Sequence, residues 1–175
     1  VLQRLLGRSE ALDSATGALI KSLLNPAQHY APICFHPCAP EMAATGYQSS
    51  LRIWNTQSWK SRTIEFPESP GGPVVFSGDF SPDGSLFAAG DSNGGVTVWT
   101  THDWNMIRRL SGMNPAVWCV AFSPDGRRLA AGSHDRTIHV FQTSDWRETI
   151  ILRGHSGTVG AVAWTPDGRR LLSSG

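Results

Sequence analysis

The sequence predicts an all-β fold in which one four-stranded unit repeats along the chain. Three observations carry this: landmarks that recur every 42–45 residues, turn signatures that close short apolar runs, and the lack of any window that sustains a helical pattern. The aromatic leaders Phe35, Phe80, Phe122 and Trp164 stand 45, 42 and 42 residues apart. Each opens a turn: His36-Pro37 in the first, Ser-Pro-Asp-Gly at 81–84 and 123–126, and Thr-Pro-Asp-Gly at 165–168. Trp54, Trp99 and Phe141 keep the same step, as do Trp59, Trp104 and Trp146.

The unit is clearest in the third copy. Val117, Val120 and Phe122 make a first strand ahead of the Ser-Pro-Asp-Gly turn. Pro presets φ near −65° and Gly takes the left-handed position, so the chain reverses there. Leu129 to Ser133 reads as a second, small-residue strand suited to a crowded centre, and His134-Asp135-Arg136 as the next turn. Thr137 to Phe141 alternates with period two, which predicts a half-buried third strand. After the turn at 142–145, Trp146 to Leu152 is the fourth strand. The second copy follows suit: Leu86 to Gly90, Val96 to Trp99, and Trp104 to Leu110.

Four short antiparallel strands per 42 or so residues are the signature of a β-propeller blade. The sequence predicts blades over 30–66, 74–110 and 116–152, the tail of a preceding blade over 1–24, and the first half of a further one over 158–175. Typical propellers have about 4–8 blades. The halves could join into a closed four-bladed ring, or the chain is an incomplete propeller, and the second reading is favoured. The chain opens on Val1 rather than Met, which fits a piece of something longer.

The Gly154-His155 pair, the Phe-Ser-Pro-Asp-Gly turns, the turn acid Asp135, and Trp54, Trp99 and Phe141 at the ends of third strands resemble the WD-repeat family. The resemblance runs from about residue 11 to residue 175. It implies a propeller that scaffolds protein complexes. In that family a Gly-His pair, a strand Ser or Thr, a turn Asp and the Trp form a hydrogen-bonded tetrad in each blade. Here the Gly-His position reads Asn25-Pro26, Pro70-Gly71, Gly112-Met113 and Gly154-His155, and the turn acid position reads Gln48, Asn93 and Asp135. No blade holds a complete tetrad, so the blades are expected to rest on apolar packing and ladder hydrogen bonds.

Composition narrows the function. Fifteen Lys and Arg face fourteen Asp and Glu, net +1, so no basic field recruits nucleic acid. No apolar run of ~18 residues predicts a membrane span, and residues 1–12 do not read as a signal peptide. Three cysteines, an odd count, predict a reducing, cytoplasmic setting. Cys34-Phe35-His36-Pro37-Cys38 contains metal-ligand types, but Phe35 holds the repeat register and no second pair follows, so free thiols are expected. Asp83, Asp125 and Asp167 are one turn position in different blades, not a catalytic pair. Gly90 to Gly95 lies between strands and cradles no phosphate. The pairs Arg108-Arg109, Arg127-Arg128 and Arg169-Arg170 are solvated charges, the last two beside turn acids.

Candidate partner-binding residues are few. Trp118 breaks the period, its slot holding Ala31, Phe76 and Gly160 elsewhere, so Trp118 and Phe76 are candidates for an interface. Tyr47, Ser92 and His134 precede second turns, and similar positions in WD-repeat proteins face partners. No catalytic, cofactor or metal residues are predicted. The expected function is a non-catalytic interaction scaffold with protein partners, no nucleic acid and no membrane, and open blade ends available for self-association. The alternatives are a regulatory or substrate-recognition segment of a larger signalling or ligase enzyme, and a ligand-binding or hydrolytic propeller.

Overall fold

The computed structural model describes residues 2–5, 8–12, 14–16, 18–22, 33–45, 50–66 and 72–175, and all its regular elements are strands. β1 (Leu2–Leu5), β2 (Arg8–Leu12) and β3 (Leu19–Ser22) form one antiparallel sheet. The first full blade is β4 (Ile33–Phe35), β5 (Glu41–Thr45), β6 (Ser50–Asn55) and β7 (Ser61–Glu65). The second is β8 (Val75–Phe80), β9 (Leu86–Asp91), β10 (Val96–Thr100) and β11 (Met106–Leu110). The third is β12 (Val117–Phe122), β13 (Arg128–Ser133), β14 (Thr137–Gln142) and β15 (Glu148–Arg153). β16 (Ala161–Trp164) and β17 (Leu171–Ser174) pair as a two-stranded sheet. The first strands β4, β8, β12 and β16 lie against one another in series, so they are innermost. Among the described residues no ladder joins β1–β3 to β16–β17. The architecture is an incomplete propeller.

Stacking between blades makes the core. Ala88, Val96, Val98, Leu110 and Met113 of the second blade meet Val117, Val120, Phe122, Leu129, Ala131 and Phe141 of the third. The alternate residues of the same strands, Phe87, Ala89 and Trp99, turn the other way and meet Ala43, Leu51 and Ile53 of the first blade. Each such Val, Leu or Phe stabilises by roughly 1.5–3 kcal/mol on burial. This corrects one expectation. The third strand is not half-buried: β10 and β14 are buried on both faces, because a blade lies on each side, and even Thr97 and His139 are covered.

A second correction concerns the fourth strand. Trp59, Trp104 and Trp146 do not begin it. They sit at φ +54°, +57° and +59°, the left-handed region, and close the turn before it. The N–H of Trp59 and of Trp146 donates to the carbonyl four residues back, at 2.9 and 2.8 Å. A left-handed residue cannot continue a strand, so β7, β11 and β15 start two residues later. The strain, about 1–2 kcal/mol for a residue with a Cβ, is offset by indole burial, as with Trp104 between Phe80 and Phe87.

The blades also do not rest on apolar packing and ladders alone. In the second blade Asp91 is fully buried, and its Oδ1 accepts the N–H groups of Asn93 and Gly95 in the turn. Its Oδ2 pairs with Arg109 Nη1 at 2.7 Å, and the same nitrogen donates to Thr97 Oγ1 at 2.7 Å. In the third blade Asp135 accepts the N–H and hydroxyl of Thr137, whose Oγ1 contacts His139 Nε2 at 2.8 Å, while His139 Nδ1 meets Glu148. Buried turn N–H groups need acceptors, and a side chain from the same blade supplies one where the family's tetrad is missing.

Three contacts tie neighbouring inner strands. Cys34 Sγ donates to Gly78 O at 2.7 Å, Phe122 N to Asp79 Oδ2 at 2.8 Å, and Trp164 Nε1 to Ala121 O at 3.1 Å. Burial pushes the Asp79 carboxyl up from 3.8 to about 6, against the pull of the Phe122 and Phe80 N–H groups.

Two outcomes follow from these contacts. Arg109→Met strands the Asp91 carboxylate, so urea denaturation is expected to show a loss of about 3 kcal/mol. The double variant with Asp91→Asn recovers part of it; equal stability of Arg109→Met and wild type would refute the ion pair's role. For Asp79, a raised folded pKa means stability present below about pH 4 and lost as pH rises through about 6. Asp79→Asn should therefore be about 1–3 kcal/mol more stable than wild type at pH 7.5. That advantage should vanish near pH 4, read as the difference between paired melts so that other carboxylates cancel.

Candidate binding surface

The strand order fixes two rims. The lower rim carries the turns between first and second strands and between third and fourth strands. The upper rim carries the second turns, at Asp91–Gly95 and Ser133–Arg136, and the loops between blades.

Lower-rim chemistry is spent on the turns themselves. Ser81 Oγ donates to Asp83 Oδ1 at 2.5 Å and accepts Leu86 N at 2.9 Å. Ser123 with Asp125, and Thr165 with Asp167, repeat the arrangement. The serine or threonine hydroxyl and a backbone N–H hold each of these carboxyls below the usual range. In the first blade His36 stands where the others have Ser or Thr, and its Nδ1 accepts the N–H groups of Cys38 and Ala39 at 3.1 and 2.9 Å. Its ring lies beneath Gly84, where a Cβ would come within 2.3 Å and φ is +74°. His36 is thus a turn cap and an inter-blade wedge. Cys34 is held by Gly78, and burial, then the Asp79 carboxylate, push its thiol up to about 12. Among the described residues no group of three or more His, Cys, Asp or Glu is arranged to hold a metal.

Two constellations have the outline of catalytic groups. Thr137, His139 and Glu148 align hydroxyl, imidazole and carboxylate, but Thr137 is buried and its hydroxyl donates to Asp135, leaving no exposed nucleophile. Asp79 has a shifted carboxyl, but its oxygen is bound to Phe122 N and its thiol neighbour is protonated at neutral pH.

On the upper rim the structure brings together Phe76 and Trp118. Their rings stack with centroids 4.3 Å apart and planes 5° from parallel. Both occupy β-bulges: the β8–β9 register shifts between Val75 and Ser77, and the β12–β13 register between Val117 and Cys119. A bulge re-aims its extra residue out of the ladder. Here two neighbouring inner strands bulge at the same level, so two aromatic rings turn out of the core. Trp118 is 40% exposed, against 8% for Cys119 beside it. In the next slot stands Gly160, where an added Cβ would meet nothing within 4 Å.

Ser92 and His134 lie on this rim but do not join the aromatic pair. Ser92 accepts Val74 N through Oγ and donates its own N–H to Val74 O, pinning the start of β8. His134 N donates to Ala116 O, and its Nδ1 contacts Thr158 Oγ1 at 2.9 Å. Tyr47 lies outside the described residues. Of the repeat signature, Trp54, Trp99 and Phe141 are buried, and Trp54 Nε1 has no hydrogen-bond partner. Asp135 caps its turn. Gly154 adopts φ +146°, and His155 Nε2 meets Ser173 Oγ at 2.7 Å, two members of a tetrad in contact. Sequence reasoning missed Asp79, Asp91 and Arg109. The signal for the last two was present: an acid closing the second strand and a basic residue on the fourth, across one repeat.

The WD domain, G-beta repeat model matches residues 62–100, 104–142 and 146–175, while no curated protein matches the chain. Each full match starts near a fourth strand and ends at a third, so the sequence repeat is offset from the blade by one strand. With more than half of its length matched, and with three four-stranded antiparallel blades, the chain belongs to the WD domain, G-beta repeat family.

Proposed function

We infer that the protein is a non-catalytic platform that binds protein partners through the upper rim of its second and third blades. The observation that carries this is the Phe76–Trp118 stack, an exposed indole on a half-buried ring, produced by two aligned bulges on inner strands. Aromatic anchors on preorganised strands are what interface hot spots require. Family membership supports the same reading, since WD repeats generally mediate protein–protein interaction. The three free cysteines support a reducing compartment.

Trp118→Ala should lose partners that the wild-type chain retains in cross-linking pull-downs, by about tenfold or more, with an unchanged melting curve. Retention of the same partners by Trp118→Ala would defeat the reading.

A further inference from the structure

The upper rim is asymmetric in charge. Over the second and third blades it has two acids: Asp91 is buried against Arg109, and Asp135 is half-buried and caps Thr137. The formal charges left outward on this rim of the third blade are those of Arg136, in the turn, and Arg153, at the end of β15. Among the described residues neither guanidinium has a hydrogen-bond or ion-pair partner. Four other arginines are engaged: Arg62 with Glu41, Arg109 with Asp91, Arg147 with Asp145, and Arg128 over Trp164. The lower rim is mixed, with Asp125 and Asp167 beside Arg127, Arg128, Arg169 and Arg170.

These groups lie on one radial line. Val117 pairs with Ser133, and Thr137 pairs with Arg153, so Trp118, the 133–136 turn and Arg153 follow one another outward along the top of the third blade. Strands spaced about 4.8 Å apart place Arg153 about 14 Å from the inner strand. An extended segment of four or five residues covers that distance at about 3.3 Å per residue.

We propose that this line is a docking track for a short acidic peptide segment of a partner protein, with an apolar side chain on Trp118 and carboxylates on Arg136 and Arg153. The proposal rests on the platform reading above and adds the partner's chemistry. Charge complementarity selects the class, because the track offers two unpaired guanidinium groups against one half-buried carboxylate, that of Asp135, which is tied to Thr137. A polyanionic nucleic acid is less suited, since it needs several cations in a groove with interleaved aromatics, and this track has two cations and one aromatic stack.

The test is fluorescence anisotropy on the 175-residue chain. The probes are a labelled peptide with a central Phe flanked by Asp and Glu, its Asn/Gln counterpart, its Lys counterpart, and a single-stranded oligonucleotide. The acidic peptide is expected to bind most tightly and to weaken as salt rises. Arg136→Glu with Arg153→Glu should cost it about tenfold or more, Arg136→Gln with Arg153→Gln less, and Trp118→Ala about tenfold. Equal binding of the Asn/Gln peptide, still abolished by Trp118→Ala, overturns the acidic class and leaves the platform intact. Acidic binding untouched by Trp118→Ala overturns the track itself. Tighter binding of the oligonucleotide, or no binding of any probe, also overturns the proposal.

Discussion

A four-stranded sheet of five- and six-residue strands has two faces and cannot bury either by itself. Everything else in this protein depends on that constraint. Blades must stack, so apolar residues are needed on both faces of every middle strand, and Val98 and Trp99 illustrate the division: one faces the third blade, its neighbour the first. Stacking also fixes the small residues of the second strands. Gly90 and Gly132 have no room for a side chain, since a Cβ would strike Val117 at 2.6 Å or Cys119 at 2.4 Å. The repeat length follows from the same requirement, because each blade must present the same profile to the next.

Once both faces are buried, polar groups inside the sheet need internal partners. The Asp91–Arg109–Thr97 set and the Asp135–Thr137–His139–Glu148 set are two solutions to one problem, placed at the same turn in successive blades. They differ in residue type but agree in function: each satisfies turn N–H groups and fixes the turn against the fourth strand. A buried ion pair adds little net stability but is costly to break, so these sets specify the turn more than they strengthen the sheet. That rigidity extends to the surface, because the turns at 91–95 and 133–136 flank the bulges that carry Phe76 and Trp118.

How far the sequence reveals this depends on what kind of cause operates. Landmarks set by local chemistry are legible. The Ser-Pro-Asp-Gly turns need that tetrapeptide, and Phe80 and Phe122 mark the register because their rings are buried at the same place in successive blades, whereas Phe35 of the first blade is 58% exposed. Relations across strands are not legible. Asp91 and Arg109 are 18 residues apart and meet only because β9, β10 and β11 align. The left-handed Trp59, Trp104 and Trp146 defeat propensity outright, since tertiary burial overrides the backbone preference. Trp118 was visible as a break in the period, but its stacking on Phe76 depends on bulges, and a bulge leaves no mark in composition.

The contrast between the rims shows how one scaffold separates stability from recognition. On the lower rim each carboxylate is bound to its own turn hydroxyl and N–H, which hold it ionised, and at Asp125 the adjacent Arg127 and Arg128 balance its charge. On the upper rim Asp91 is drawn inside and Asp135 is half-buried against its own turn, and the guanidinium groups of Arg136 and Arg153 stand outward without an ion-pair partner among the described residues. The upper rim of the third blade thus carries two outward cations against one half-buried acid, although the whole chain carries a net charge of only +1. A net charge near zero thus hides a directional one, and the direction coincides with the face where aromatic residues leave the core.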